Sequence, residues 1–156
     1  MQNPSRRDAA RLAVLAATAS LAAAMPCEAA ESAALAIKGY DPVAYFTEKR
    51  PVVGDPQYQH EWDGALYRFA STKHLELFKA DPDRYLPQYQ SWCTASVANG
   101  IKESGDPEYW LVVDGRLYLF GKPFGPGLMS ADPPAMKRHA DENWPQVARL
   151  PSPPPQ

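Results

Sequence analysis

One pattern occurs twice in this chain, fifty-one residues apart. Asp63-Gly64-Ala65-Leu66-Tyr67-Arg68-Phe69 is matched by Asp114-Gly115-Arg116-Leu117-Tyr118-Leu119-Phe120. At the same offset Leu77 meets Leu128, Ala80 meets Ala131, and Asp81-Pro82 meets Asp132-Pro133. Nine of the twenty positions from Asp63 to Pro82 are identical, without a gap. Such self-similarity predicts two related units, over 58–85 and 109–136, packed as one domain.

Each unit opens on a hairpin signal. Asp-Gly between alternating apolar residues marks a two-residue turn, because both turn positions need positive φ. Simple alternation places Trp62 opposite Ala65, His60 opposite Tyr67 and Tyr58 opposite Phe69. In the second hairpin it sets Leu111 against Tyr118 and Tyr109 against Phe120. That hairpin is apolar on both faces (Trp110, Val112, Leu117 and Leu119 form the other side), so it is expected to be covered on both. Ser71 is placed to cap a helix to about Ala80. Asp81-Pro82 opens a further turn that Pro87 ends. In the second unit, Gly121, Pro123, Gly125, Pro126 and Gly127 argue against a regular helix. Asp132-Pro133 then restarts one to about Asn143. Upstream, Asp41 to Phe46 reads as a turn into a strand. The fold class expected is α+β: a small antiparallel sheet with short helices on it.

The chain has 156 residues and a net charge of −2, which suits one domain and disfavours a nucleic-acid surface. Four of its seventeen prolines fall in Pro151–Gln156, read as a disordered tail over 150–156. The first 29 residues differ in kind. Arg6-Arg7 and Arg11 precede a charge-free, Ala-rich run from Leu12 to Cys27. This is the pattern of an export signal, and it is too short for a membrane span. The paired arginines point to the twin-arginine route, although Ala9 and Ala10 stand where that motif carries a large apolar pair; an ordinary secretory signal is the alternative. The mature protein is then periplasmic or secreted, without a stable membrane span. Cleavage near Ala24 or Ala29 leaves Cys93 as the one cysteine if it follows Ala29. No internal disulfide is then available, and the thiol is buried, ligated or chemically used.

No phosphate loop, nucleophile elbow, Cys-x-x-Cys or His-Glu-x-x-His is present. The soft or titratable candidates are His60, His74, His139, Cys93, Met129 and Met136. His60 sits among aromatic residues, and the repeat has Leu111 in its place, which favours a packed histidine over a ligand. His74 follows the Ser71 cap, and its counterpart is Gly125. His139 reads as a solvated helix residue. Cys93 is either a buried packing residue or a metal or redox group.

Lys38-Gly39-Tyr40-Asp41-Pro42-Val43-Ala44-Tyr45-Phe46, Asp63-Gly64, Tyr67 to Ser71, Phe78 to Tyr85, Pro87-Gln88-Tyr89, Cys93, Val113 to Leu119 and Asp141 to Pro145 together resemble the YHS family, in particular its exported branch. The resemblance covers about 36–147. Tyr40, Asp41, Pro42, Val43, Tyr45, Phe46, Tyr89 and Cys93 are its motif residues. Shorter members resemble treble-clef, TRASH-like metal-binding modules. Their aromatic-Cys-Ser-x-x-Cys signature falls here on Phe69 to His74, with Ala70 and His74 in place of the cysteines. Gln90-Ser91-Trp92 stands where the family has Gly-Gly-Tyr before Cys93. The resemblance implies a binding module for a soft metal, copper or iron, without catalytic turnover. Its site would be Cys93 with His74, His60 being a weaker third member, and its partner a metal-handling or redox protein of the periplasm. Thiolate and imidazole donors suit such ions. A thiol redox protein using Cys93, and a structural or interaction domain with no metal, are the alternative readings.

Overall fold

The computed structural model describes residues 33–152. The export segment expected over 1–29, and residues 153–156 of the expected tail, lie outside the described residues.

Two Asp-Gly turns set the architecture. Asp63 and Gly64 have φ of 48° and 73°, and Asp114 and Gly115 have 50° and 72°. These are the paired left-handed conformations of a tight hairpin turn. The first turn joins β2 (Asp55–Trp62) to β3 (Ala65–Phe69), and the second joins β4 (Asp106–Val113) to β5 (Arg116–Phe120). Near the turns the register is the expected one, with Trp62 opposite Ala65, His60 opposite Tyr67 and Leu111 opposite Tyr118.

Away from the turns simple alternation fails in the same way twice. Phe69 is opposed by Asp55 rather than Tyr58, and Phe120 by Asp106 rather than Tyr109. The reason is an Asp-Pro pair in each outer strand. Pro56 and Pro107 have no N–H to give a ladder. The preceding Asp instead turns the chain: Asp55 Oδ1 accepts from the Gln57 N–H at 2.8 Å, and Asp106 Oδ1 from the Glu108 N–H at 2.9 Å. The result is a bulge before Gln59 and before Trp110.

The connecting pieces also occur in pairs. β1 (Ala34–Leu35) runs parallel to β3, with Leu35 opposite Leu66; Pro87 makes a parallel bridge to Leu117. Each is followed by a tight 3-10 turn, Ala36–Gly39 and Gln88–Ser91. Ile37 and Lys38 in one, and Tyr89 and Gln90 in the other, have φ between 48° and 55°. Antiparallel bridges then join Tyr40 to Val53 and Trp92 to Ser104. The three-stranded sheet has the order β1-β3-β2, and β4 and β5 form a second ladder. The fold class is α+β, with a mixed rather than purely antiparallel first sheet.

Helices follow the capping signals, with three corrections. Residues Ala44–Thr47 form a short helix, α1, where the sequence suggested a strand. The Asp41 carboxylate accepts from the Val43 and Ala44 N–H groups at 2.8 and 3.3 Å and starts the turn. α2 spans Thr72–Ala80, with Ser71 Oγ accepting from the His74 N–H at 3.2 Å. α3 is Pro82–Tyr85, and α4 is Thr94–Val97. The Gly- and Pro-rich segment does form a helix, α5 (Gly125–Ala131). Its proline, Pro126, sits in the first turn, where a missing N–H costs nothing. α6 (Pro133–Val147) runs past the expected end at Asn143, with Pro145 near its C-terminus.

β5 is the centre of the molecule. Its Leu117 and Leu119 face a core built from Tyr45, Tyr67, Phe69 and Phe78. Its Tyr118 and Phe120 face another, with Cys93 and Met129. Both faces of the second hairpin are therefore covered, as its composition required. A third cluster holds Val97, Ala140 and Val147 against Trp92 and Trp144. Among the described residues no helix is long and apolar enough to cross a membrane.

Candidate functional site

Two places hold the residues that the sequence singles out. The first is centred on Asp41, whose side chain is fully buried. Its Oδ1 serves the α1 turn. Its Oδ2 accepts from the Ala70 N–H at 2.8 Å and lies 2.6 Å from His74 Nδ1. The other ring nitrogen of His74 lies 3.1 Å from Thr47 Oγ1. One carboxylate thus ties the loop before α1, the end of β3 and the start of α2 together. Both nitrogens of His74 have protein partners, so the ring is engaged in holding this junction.

The remaining motif residues are also structural anchors. Tyr45 is fully buried, gives its hydroxyl hydrogen to the Pro107 carbonyl at 3.0 Å and meets Trp110 edge-on at 5.2 Å. Burial, reinforced by nearby Glu108, pushes its ionisation well above the ordinary tyrosine range. Tyr40 donates to Glu108 at 3.0 Å, a bond that also raises its ionisation. Val43 is buried, Pro42 lies between it and Asp41, and Phe46 packs edge-on against Tyr85 at 5.3 Å. Tyr89 donates to Asp141 at 2.7 Å and packs against Trp144. Burial and that hydrogen bond raise its ionisation too.

The second place is around Cys93, a free thiol only 3% exposed. Its N–H is held by the Glu103 carbonyl at 2.8 Å, at the entry to α4. Cys93 packs in one cluster with Met129, Tyr118 and Phe120, and Met136 lies against that cluster. The adjacent Thr94 is fully buried, and its hydroxyl has no hydrogen-bond partner among the described residues. Beside Cys93 opens a pocket of about 320 Å³ with Phe124, Leu128 and Ile101 among its lining residues. Gly125 also lines it, and a Cβ there would fall 2.5 Å from Phe120 Cβ, so the glycine lets α5 lie directly on β5.

Neither His74 nor His60 lines the Cys93 pocket. His60 stacks on Trp62 and meets Phe78 edge-on, each at 6.4 Å, as a packed histidine does. His139 is exposed on α6. Among the described residues no group of three or more His, Cys, Asp or Glu side chains converges to hold a metal ion. Sequence reasoning missed the Asp41–His74 link, which joins residues 33 apart, and the exposed apolar mouth formed by Ile101, Phe124 and Leu128. Neither has a local sequence signal.

Fold and site define a small α+β module with a buried thiol beside an apolar pocket. Residues 43–89 match the model of the YHS domain. The matched segment contains Asp41's partners α1 and His74, and ends four residues before Cys93. Neither the curated proteins nor the solved structures provide a match to this chain.

Proposed function

We propose that this protein is an exported YHS-type binding module that carries copper(I) on Cys93 without catalytic turnover. The observation that supports this reading is the packing of the buried Cys93 thiol in one cluster with the Met129 thioether. Thiolate and thioether are soft donors and select copper(I), which accepts few ligands. The same surroundings suit iron or zinc poorly, because among the described residues no group of three His, Cys, Asp or Glu side chains converges there. His74 is left out of the donor set, since Asp41 and Thr47 engage both its nitrogens. The module's partner is a metal-handling or redox protein of the same compartment. Export is supported by Arg6-Arg7 followed by the uncharged run from Leu12 to Cys27. The hairpin units read as related copies, supported by the bulges at Asp55 and Asp106, which fall at the sequence offset.

Competition against a chromophoric copper(I) chelator tests the metal reading. The mature protein should take copper(I), Cys93→Ser should lose it, and Met129→Leu should bind about tenfold or more weakly. No uptake against the chelator overturns the proposal; dimedone labelling of Cys93 in that case assigns it to reversible oxidation. Replacing Arg6 and Arg7 with lysine should stop export by the twin-arginine route. Normal export of that variant rejects the route, and a full-length mass for the extracytoplasmic protein rejects the signal.

A further inference from the structure

Large apolar side chains in contact with water are common singly, but they mark binding sites when they gather around a concavity. Ile101, Phe124 and Leu128 are 57%, 64% and 49% exposed, and all three line the pocket beside Cys93. They come from two separate segments, the turn after α4 and the start of α5. The polar groups in the same wall are already occupied within the protein. Glu103 accepts the Ser96 hydroxyl at 2.6 Å and pairs with Lys122 at 3.8 Å, and the Asn99 amide donates to the Ala95 carbonyl at 2.7 Å. The rim therefore offers no unpaired charge to an occupant.

We propose that this pocket binds a neutral, apolar organic molecule of about two fused rings. Absence of an uncompensated charge selects an uncharged ligand, because a charged one would lose hydration with nothing to replace it. Size follows from volume: a cavity of about 150 Å³ holds benzene, and this pocket, at about 320 Å³, is roughly twice that. At the repeat offset Gly125 answers to His74, whose ring fills the junction beside Asp41. Binding of this kind uses shape and apolar contact alone. It goes beyond the copper reading and requires neither the metal nor the thiol.

The mature full chain, freed of metal with a chelator, is titrated with 2-naphthol and followed by amide NMR. Saturable shifts are expected at Ala95, Ser96, Ile101 and Leu128. Alkylation of Cys93 by iodoacetamide should slow when the probe is bound. Phe124→Ser and Leu128→Asp change exposed residues and should keep the fold; each should weaken binding about tenfold or more. The doubly charged 2-naphthol-3,6-disulfonate should not bind there. Cys93→Ser should keep the naphthol site while losing copper, which separates the two readings. Absence of saturable binding, shifts located elsewhere, or full binding by both mouth variants would overturn the proposal.

Discussion

Replacing Asp41 with asparagine removes one acceptor oxygen and changes almost nothing in shape. The native carboxylate is fully buried and receives four contacts, two on each oxygen: 2.8 and 3.3 Å from Val43 and Ala44, and 2.8 and 2.6 Å from Ala70 and His74. An asparagine keeps one oxygen, which best serves the shorter pair on Ala70 and His74. Its NH2 group then faces the Val43 and Ala44 N–H groups, donor against donor. A buried donor left without its acceptor costs about 1–3 kcal/mol. One good bond and one long one give an expected loss of about 2–4 kcal/mol. With a denaturant dependence of about 2 kcal/mol per molar urea, the unfolding midpoint should fall by about 1–2 M. Tryptophan fluorescence reads the transition, with far-UV circular dichroism as the second probe. Thr47→Val is the companion measurement. It removes the two links of one hydroxyl on an exposed residue, to the Val43 carbonyl at 3.2 Å and to His74 at 3.1 Å, and its cost should be about 1 kcal/mol. An Asp41→Asn midpoint within about 0.3 M of the parent would refute the reasoning, since no reading of four buried contacts makes them that cheap.

Phe69 and Phe120 are fully buried on different cores, so Phe69→Ala and Phe120→Ala should each cost about 3–5 kcal/mol in urea unfolding; either variant unfolding at the parent midpoint would remove that residue from the core. Burial raises the Tyr67 hydroxyl to about 12, and Tyr45 and Tyr89 are raised as well, by burial first. A neutral phenol favoured by folding contributes stability that is fully present below the unfolded tyrosine value of about 10 and is lost as pH rises through the folded one. Stability should therefore fall between about pH 10 and 12, and absorbance at tyrosinate wavelengths should show these residues ionising only with unfolding. Their titration near pH 10 in the folded protein would contradict the buried placement.

Much of the architecture was legible in local chemistry. Asp-Gly turns require left-handed backbone, which few residues supply, so both hairpins and their first two pairs could be placed from Asp63-Gly64 and Asp114-Gly115. Ser71 and Asp132 announced helix starts because a side-chain oxygen there meets an orphan N–H. The covering of β5 on both faces followed from its uninterrupted apolar run. The bulges were written in Asp55-Pro56 and Asp106-Pro107, but alternation alone overlooked them, since it counts side chains and ignores which residues lack an N–H.

The site was legible only in part. Cys93 stood out as the one cysteine of the expected mature chain, and its burial could be expected of a free thiol. Its neighbours could not. Met129 reaches its cluster because α5 lies on β5, a packing decided by the missing Cβ of Gly125 against Phe120. His74 sits on a helix that the sequence placed correctly, yet a carboxylate 33 residues earlier occupies its ring. Local chemistry determines turns, caps and strands because each acts within a few residues. Which side chains share a pocket depends on contacts closed across long stretches of chain, and only the packed cores on the two faces of β5 decide those.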